Sequence, residues 1–175
     1  MNYSGGCLTL LLLVVISIPG FGETAAKRKL EWNGKQRTYY LYAPFEMSAE
    51  QPLPLLLTFH GSRRRGHSLV TPWVDTAERE GIVVAGLDSA NSVGWAFPAD
   101  GPDLVEALVE ELAEEFPIDR RRVYLFGHSA GAGCAIMLAL MEPGYFAAAV
   151  MSGGALPVGQ GEIRIPVEEL SLIHI

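Results

Sequence analysis

The stretch VYLFGHSAGAG, Val123 to Gly133, changes character within a few residues. Up to Phe126 it is β-branched, aromatic and apolar, as a buried strand is; from Ala130 onward it is small, apolar and helix-compatible. No loop separates the two halves, so the chain must leave a strand and enter a helix through one sharp turn. Only small residues two positions either side of Ser129, here Gly127 and Gly131, let the strand and helix backbones come that close. The turn holds Ser129 in a strained backbone conformation and lifts its hydroxyl clear of the sheet.

The rest of the chain alternates in the same way. RTYYLYAP, Arg37 to Pro44, reads as a strand rich in aromatics, and LPLLLTF as a strand buried on both faces that ends at His60-Gly61. Ser68 is placed to cap a helix running through Glu80 and stopped by Gly81. IVVAGLD, Ile82 to Asp88, is the next buried strand. A polar loop, SANSVGWAFPADG, leads to a helix with Asp100 as its cap, Pro102 in its first turn and Phe116-Pro117 at its end. Val105, Leu108, Leu112 and Phe116 recur three to four apart on one face, and Glu106, Glu110, Glu111, Glu114 and Glu115 form a solvated acidic face. RRVYLFG is a strand, Ala130 to Met141 a helix, FAAAVMSGG a strand, and IRIPV the start of another. Strands alternating with helices predict βαβ units: an α/β fold, a three-layer α/β/α sandwich with a mostly parallel sheet.

Of the 175 residues 49% are hydrophobic and 19% charged, a globular composition without repeats or low-complexity tracts. The net charge of −7 falls entirely after residue 22, which argues against nucleic acid as a partner. Leu8 to Ile18 is an uncharged apolar core followed by Pro19, Gly20 and Gly22. It has the length of a signal-peptide core, is short for a stable membrane span, and has no Lys or Arg before it. Residues 1–22 are therefore expected to be a signal peptide, cleaved after Gly22 or Ala26, and the protein to be secreted or periplasmic. The alternative is a buried or membrane-anchoring helix. Beyond Cys7 the only cysteine is Cys134, which offers neither a disulfide nor a thiol pair for a metal.

Ser129 is the candidate catalytic nucleophile, with the backbone N–H of Ala130, at a helix N-terminus, as an oxyanion donor. TFHGSRRRG, Thr58 to Gly66, leaves a buried strand where a second donor would be built, from the N–H of Ser62 or Gly61. His60 is expected to orient that loop rather than to act as base, and His128 to point into surrounding packing. Arg63, Arg64 and Arg65 form a solvated loop or hold an anionic group of a substrate at the site mouth. Trp95 lines an acyl pocket or anchors its loop on the core. His60, Trp95 and Arg63 are thus the candidate substrate-pocket residues. A phosphate-binding loop is the weaker reading of this turn, because neither a Gly-Lys-Ser/Thr ending nor G-x-G-x-x-G is present.

These features resemble the α/β-hydrolase superfamily. The segments YLYAPFEMSAEQPLPLLLTFHG and DGPDLVEALVEELAEEFPIDRRRVYLFGHSAGA are similar to the group of polyhydroxybutyrate depolymerases, feruloyl esterases and dienelactone-hydrolase-like esterases. The step Asp119 to Tyr124 before the turn matches that group's Asp-x-Arg-Arg-Val-Tyr, although polyester depolymerases often carry Gly-Leu-Ser-x-Gly where this chain has His128. The resemblance spans roughly residues 36 to 157. It implies hydrolysis of small-molecule or polymeric carboxylic esters by a Ser-Asp-His triad, without cofactor or metal.

In that group the acid and then the base follow the serine. After Ser129 the chain offers Glu142, Glu162, Glu168, Glu169 and one histidine, His174. The expectation is that 27–169 is the N-terminal part of an α/β-hydrolase domain, incomplete at its C-terminus and inactive without the residues that complete the triad. LSLIHI, residues 170–175, coincides with one reading frame of a common transposase-end sequencing adaptor. It is read as adaptor read-through rather than a strand, which would leave His174 without a catalytic role. Two other readings stay open: a peptidase of the prolyl-oligopeptidase type and a catalytically inactive α/β-hydrolase that binds a partner.

Overall fold

The computed structural model describes residues 24–45, 47, 51–154 and 172–174. The expected leader and the strand expected at IRIPV lie outside the described residues. Among the described residues seven strands form one sheet in the order β1-β2-β4-β3-β5-β6-β7. They are β1 (Ala26–Trp32), β2 (Lys35–Tyr42), β3 (Leu53–Phe59), β4 (Val83–Leu87), β5 (Ile118–His128), β6 (Ala148–Ser152) and β7 (Leu172–His174). β1 and β2, and β2 and β4, pair antiparallel; the remaining neighbours are parallel.

β1 is an addition to the expected strands. Its Lys27, Lys29 and Glu31 are exposed on an edge strand while Leu30 is buried, so its hydrophobic signal is a single residue. A stronger signal was available in Asn33-Gly34, which turns the chain with φ of 48° and 69°. Two consecutive left-handed residues are what a two-residue hairpin requires, and Asn-Gly is the pair that adopts them most readily. β1 also begins at Ala26, one residue before the expected domain boundary. Residues 172–174, inside the segment read as adaptor, lie in β7, parallel to β6 with His174 opposite Met151.

The helices cover both faces. α3 (Pro102–Glu115) and α4 (Ala130–Met141) lie on one side, where Leu104, Leu108, Leu112 and Leu138 pack with Leu55, Leu57 and Leu125 in the main core. On the other side α1 (His67–Val70), a 3₁₀ turn (Thr71–Trp73) and α2 (Val74–Glu80) supply Val70 and Ala77 to a smaller core with Tyr42, Leu56 and Val84. The central strands are apolar on both faces because each face is covered.

Two expected caps are corrected. The single helix from Ser68 to Glu80 is three short pieces: α1 starts after Gly66, Pro72 sits in the 3₁₀ turn, and Ser68 Oγ donates to Arg65 O instead of capping. Gly81 does end α2, in the left-handed region with φ 66°. Asp100 does not cap α3 either. The residue before the helix is Gly101, and the Asp100 carboxylate turns inward to a buried partner.

Candidate functional site

The strand order reverses at β3. β4 lies on one side of it and β5 on the other, and the helices after β3 and β5 pack on opposite faces. In open α/β sheets a crevice opens at the carboxyl ends of two such strands. Ser129 follows β5 there, and the loop His60 to Gly66 follows β3.

Ser129 sits between β5 and α4 with φ 55° and ψ −118°, a region that non-glycine residues rarely occupy. The turn is tight because two glycines lack side chains. A Cβ on Gly127 would lie 2.2 Å from Gly131 O, and one on Gly131 would lie 1.8 Å from Phe59 O. α4 therefore rests directly on the backbone of β3 and β5, and the strain at Ser129 is imposed by that packing. Ser129 is exposed, and its N–H donates to Ser152 O at 2.9 Å, so this amide is not available to an oxyanion.

Two other sources of N–H groups remain. Ala130 is the first residue of α4, whose initial amides have no acceptor within the helix. Gly61 stands against the serine: a Cβ placed on it would be 3.2 Å from Ser129 Cβ. The structure thus brings Ser129, Ala130 and Gly61 together, with Ser62 next along the same loop.

His60 is 1% exposed. Its Nε2 lies 3.2 Å from Ser89 N–H, and its Nδ1 lies 2.8 Å from Gly61 O. Because Nε2 accepts from Ser89, the ring proton is on Nδ1 and is donated to Gly61 O. The Gly61 carbonyl is thereby tied on one side of its peptide, and the Ser62 N–H of that trans peptide points to the other. Trp95 is half-buried, packs edge-on against Phe59 at 5.1 Å and tilted against His60 at 4.9 Å, and donates Nε1–H to His60 O at 2.9 Å. The His128 ring is flanked by Gly61 and Gly153, with exposure to solvent. Arg63 is separate from this group. It is exposed, with φ 57°, and together with His60 lines a cleft beside the group.

A second network, outside the expected site residues, fixes the loop that carries Trp95. The Asp100 carboxylate is 1% exposed and accepts from Arg37 Nη2 at 2.5 Å, from Ala90 N at 2.9 Å and from Ala96 N at 2.8 Å. Arg37 also donates to Ala99 O and Asp88 O. Arg37 shows in sequence only as one polar position in a strand, and Asp100 resembles any residue before a helix. Neither carried a distinguishing signal.

Cys134 is buried in α4, and burial pushes its thiol well above the ordinary range, which removes it as a thiolate nucleophile at neutral pH. Among the described residues no group of acidic, His or Cys side chains is arranged to hold a metal ion, and no helix is long and apolar enough to cross a membrane.

A strained serine between a parallel strand and a helix, at the switch point of a three-layer sheet, defines an α/β-hydrolase fold. Within that fold, residues 87–168 match the family model described as Esterase PHB depolymerase. The probable feruloyl esterase C of Aspergillus flavus is 27% identical over 134 residues, covering 71% of this chain and 49% of that protein. The chain thus spans about half the length of the curated relatives it matches. An acetyl xylan esterase from Aspergillus awamori superposes with a TM-score of 0.64 at 17% identity, over 75% of this chain and 53% of that one. A poly(3-hydroxybutyrate) depolymerase from Bordetella parapertussis superposes with a TM-score of 0.60 at 20% identity, over 72% and 50%.

Proposed function

We propose that this chain carries the nucleophile half of a secreted serine esterase that cleaves carboxylic esters through an acyl-enzyme on Ser129. The observation that carries the reading is the positive φ of Ser129 in an elbow packed against Gly61. A strained hydroxyl beside two sources of free N–H groups fits acyl transfer, in which an alkoxide attacks a carbonyl and the developing oxyanion needs preorganised donors. In this reading Ala130 N–H and Ser62 or Gly61 N–H stabilise the tetrahedral intermediate, and His60 and Trp95 position the Gly61–Ser62 peptide.

Acyl transfer also requires an imidazole to take the serine proton and a carboxylate to hold that imidazole. Among the described residues no such pair is hydrogen-bonded to Ser129. We assign both roles to residues later in the chain order than Ser129, as the similarity to esterases suggests. The apolar segment Leu8 to Ile18 supports export, and the resemblance to feruloyl and polyester esterases supports small-molecule or polymeric esters as substrates.

The test is hydrolysis by the protein expressed from its full reading frame, with a panel of acetyl, feruloyl and hydroxyalkanoate esters and a matching peptide amide. Ester turnover that disappears in Ser129→Ala is expected. Retained turnover in that variant, or cleavage of the amide alone, would overturn the reading.

A further inference from the structure

Along the same carboxyl edge of the sheet, on the β2–β4 side of the elbow, lies a cleft of about 540 Å³. That is within the size range of small-molecule sites. Trp32 and Lys35 of the β1–β2 hairpin form one wall, and Arg63, Arg64 and Arg65 of the oxyanion loop form another. His60 contributes to the lining, so the cleft begins where the proposed active site ends. β2 and β5 are three strand positions apart, which sets the far wall at roughly 14 Å from the serine.

The charges in this cleft are unbalanced. Arg65 is paired with Asp88 at 3.1 Å, and the other Asp88 oxygen accepts Gly66 N–H. Arg37 is committed to Asp100 and two carbonyls. Lys35, Arg63 and Arg64 have no acidic partner among the described residues. Three uncompensated cations therefore converge on one cleft of a chain whose net charge is −7. The loop that presents them is firmly set: Arg63 N–H donates to Ser92 O at 2.7 Å and Arg64 N–H to Gly61 O at 3.1 Å, which holds Arg63 in its left-handed conformation. Trp32, half-buried against the main core, lines the cleft with the part of its ring left exposed.

We propose that this cleft is a subsite for a carboxylated sugar unit on the substrate chain, the guanidinium and ammonium groups taking the carboxylate and Trp32 the ring. The inference rests on the esterase reading for the term substrate and deepens it. The substrate is an ester borne on an acidic saccharide, cleaved at Ser129 while a neighbouring charged unit is held in the cleft. A remote anchor of this kind orients the ester at the reacting serine.

The experiment uses an ester-free probe, so that it reads the cleft independently of catalysis. A galacturonate trimer is titrated into the purified protein by calorimetry, beside xylotriose and inorganic phosphate. Saturable binding of the galacturonate trimer is expected, weakened by raising the salt from 50 to 500 mM, with at least about tenfold weaker binding of xylotriose. The double variant Lys35→Gln/Arg64→Gln should bind the trimer about fivefold or more weakly with an unchanged melting temperature, since both side chains are exposed. Trp32→Ala should weaken the trimer but not phosphate. Equal binding of xylotriose, phosphate binding as tight as the trimer, or an unaltered double variant would each overturn the proposal. Binding of the trimer by a protein that hydrolyses no ester would keep the subsite and reject the esterase reading.

Discussion

Arg37 Nη2 lies 2.5 Å from Asp100 Oδ1, and the two side chains, 63 residues apart, form a buried ion pair under the loop that carries Trp95. Each also satisfies backbone groups, so neither charge is left uncompensated. Removing one partner leaves the other buried and unpaired. Asp100→Ala is expected to cost about 3–5 kcal/mol, read as a lower urea midpoint. Arg37→Met with Asp100→Leu should cost less than the two single changes added, because the double change leaves no orphaned charge.

Ser129 is held at φ 55°, a conformation that glycine adopts without penalty. Ser129→Gly and Ser129→Ala both remove the hydroxyl, so their difference isolates the backbone strain. The glycine variant should be about 1 kcal/mol more stable than the alanine variant in thermal melts, while both lose ester turnover. Equal stability would show that α4 does not force the turn.

Two glycines four residues or fewer from the elbow should respond in opposite directions. Gly131→Ala places a methyl group 1.8 Å from Phe59 O, against backbone rather than a flexible side chain and so with no room to give. A loss of more than about 3 kcal/mol, or failure to fold, is expected. Gly133→Ala meets nothing within 4 Å and lies inside α4, so it should stabilise by about 0.5–1 kcal/mol. Circular dichroism melts of the two variants check both signs.

The acidic face of α3 gives a pH-dependent expectation. Burial, then the nearby carboxylates of Glu142, Asp103 and Glu110, raise the pKa of Glu106. A carboxyl that is harder to ionise when folded binds more protons in the native state, so its ionisation opposes folding. The penalty is absent below the unfolded pKa, grows as pH rises through the folded pKa, and is complete above it. Glu106→Gln should therefore stabilise the protein at pH 7, by about 0.2–0.5 kcal/mol for each like-charge pair removed along the helix. The gain should vanish near pH 3. A gain of equal size at both pH values would assign it to something other than charge.

The central strands and the elbow were legible in the sequence because their residues obey local rules. Leu55, Leu57 and Val123 signal strands buried on both faces, and Gly127 with Gly131 flags close backbone approach. β1 was not legible from hydrophobicity, since an exposed edge strand buries only Leu30, but Asn33-Gly34 held the signal. Asp100 was misread because a carboxylate before a helix looks like a cap, and only the fold brings Arg37 beneath it. The basic cleft was half legible: Arg63 to Arg65 stand together in sequence, whereas Trp32 and Lys35 join them only through the β1–β2 hairpin.

The amide of Ser129 is bound to the end of β6, nearby Gly131 rests on the end of β3, and His128, just before the serine, closes β5. The smallest transplantable unit of this site is therefore three adjacent strand ends, and the pentapeptide Gly-His-Ser-Ala-Gly alone is too little. Grafted onto a sheet whose neighbouring strands end at other heights, the same five residues would relax into an ordinary turn.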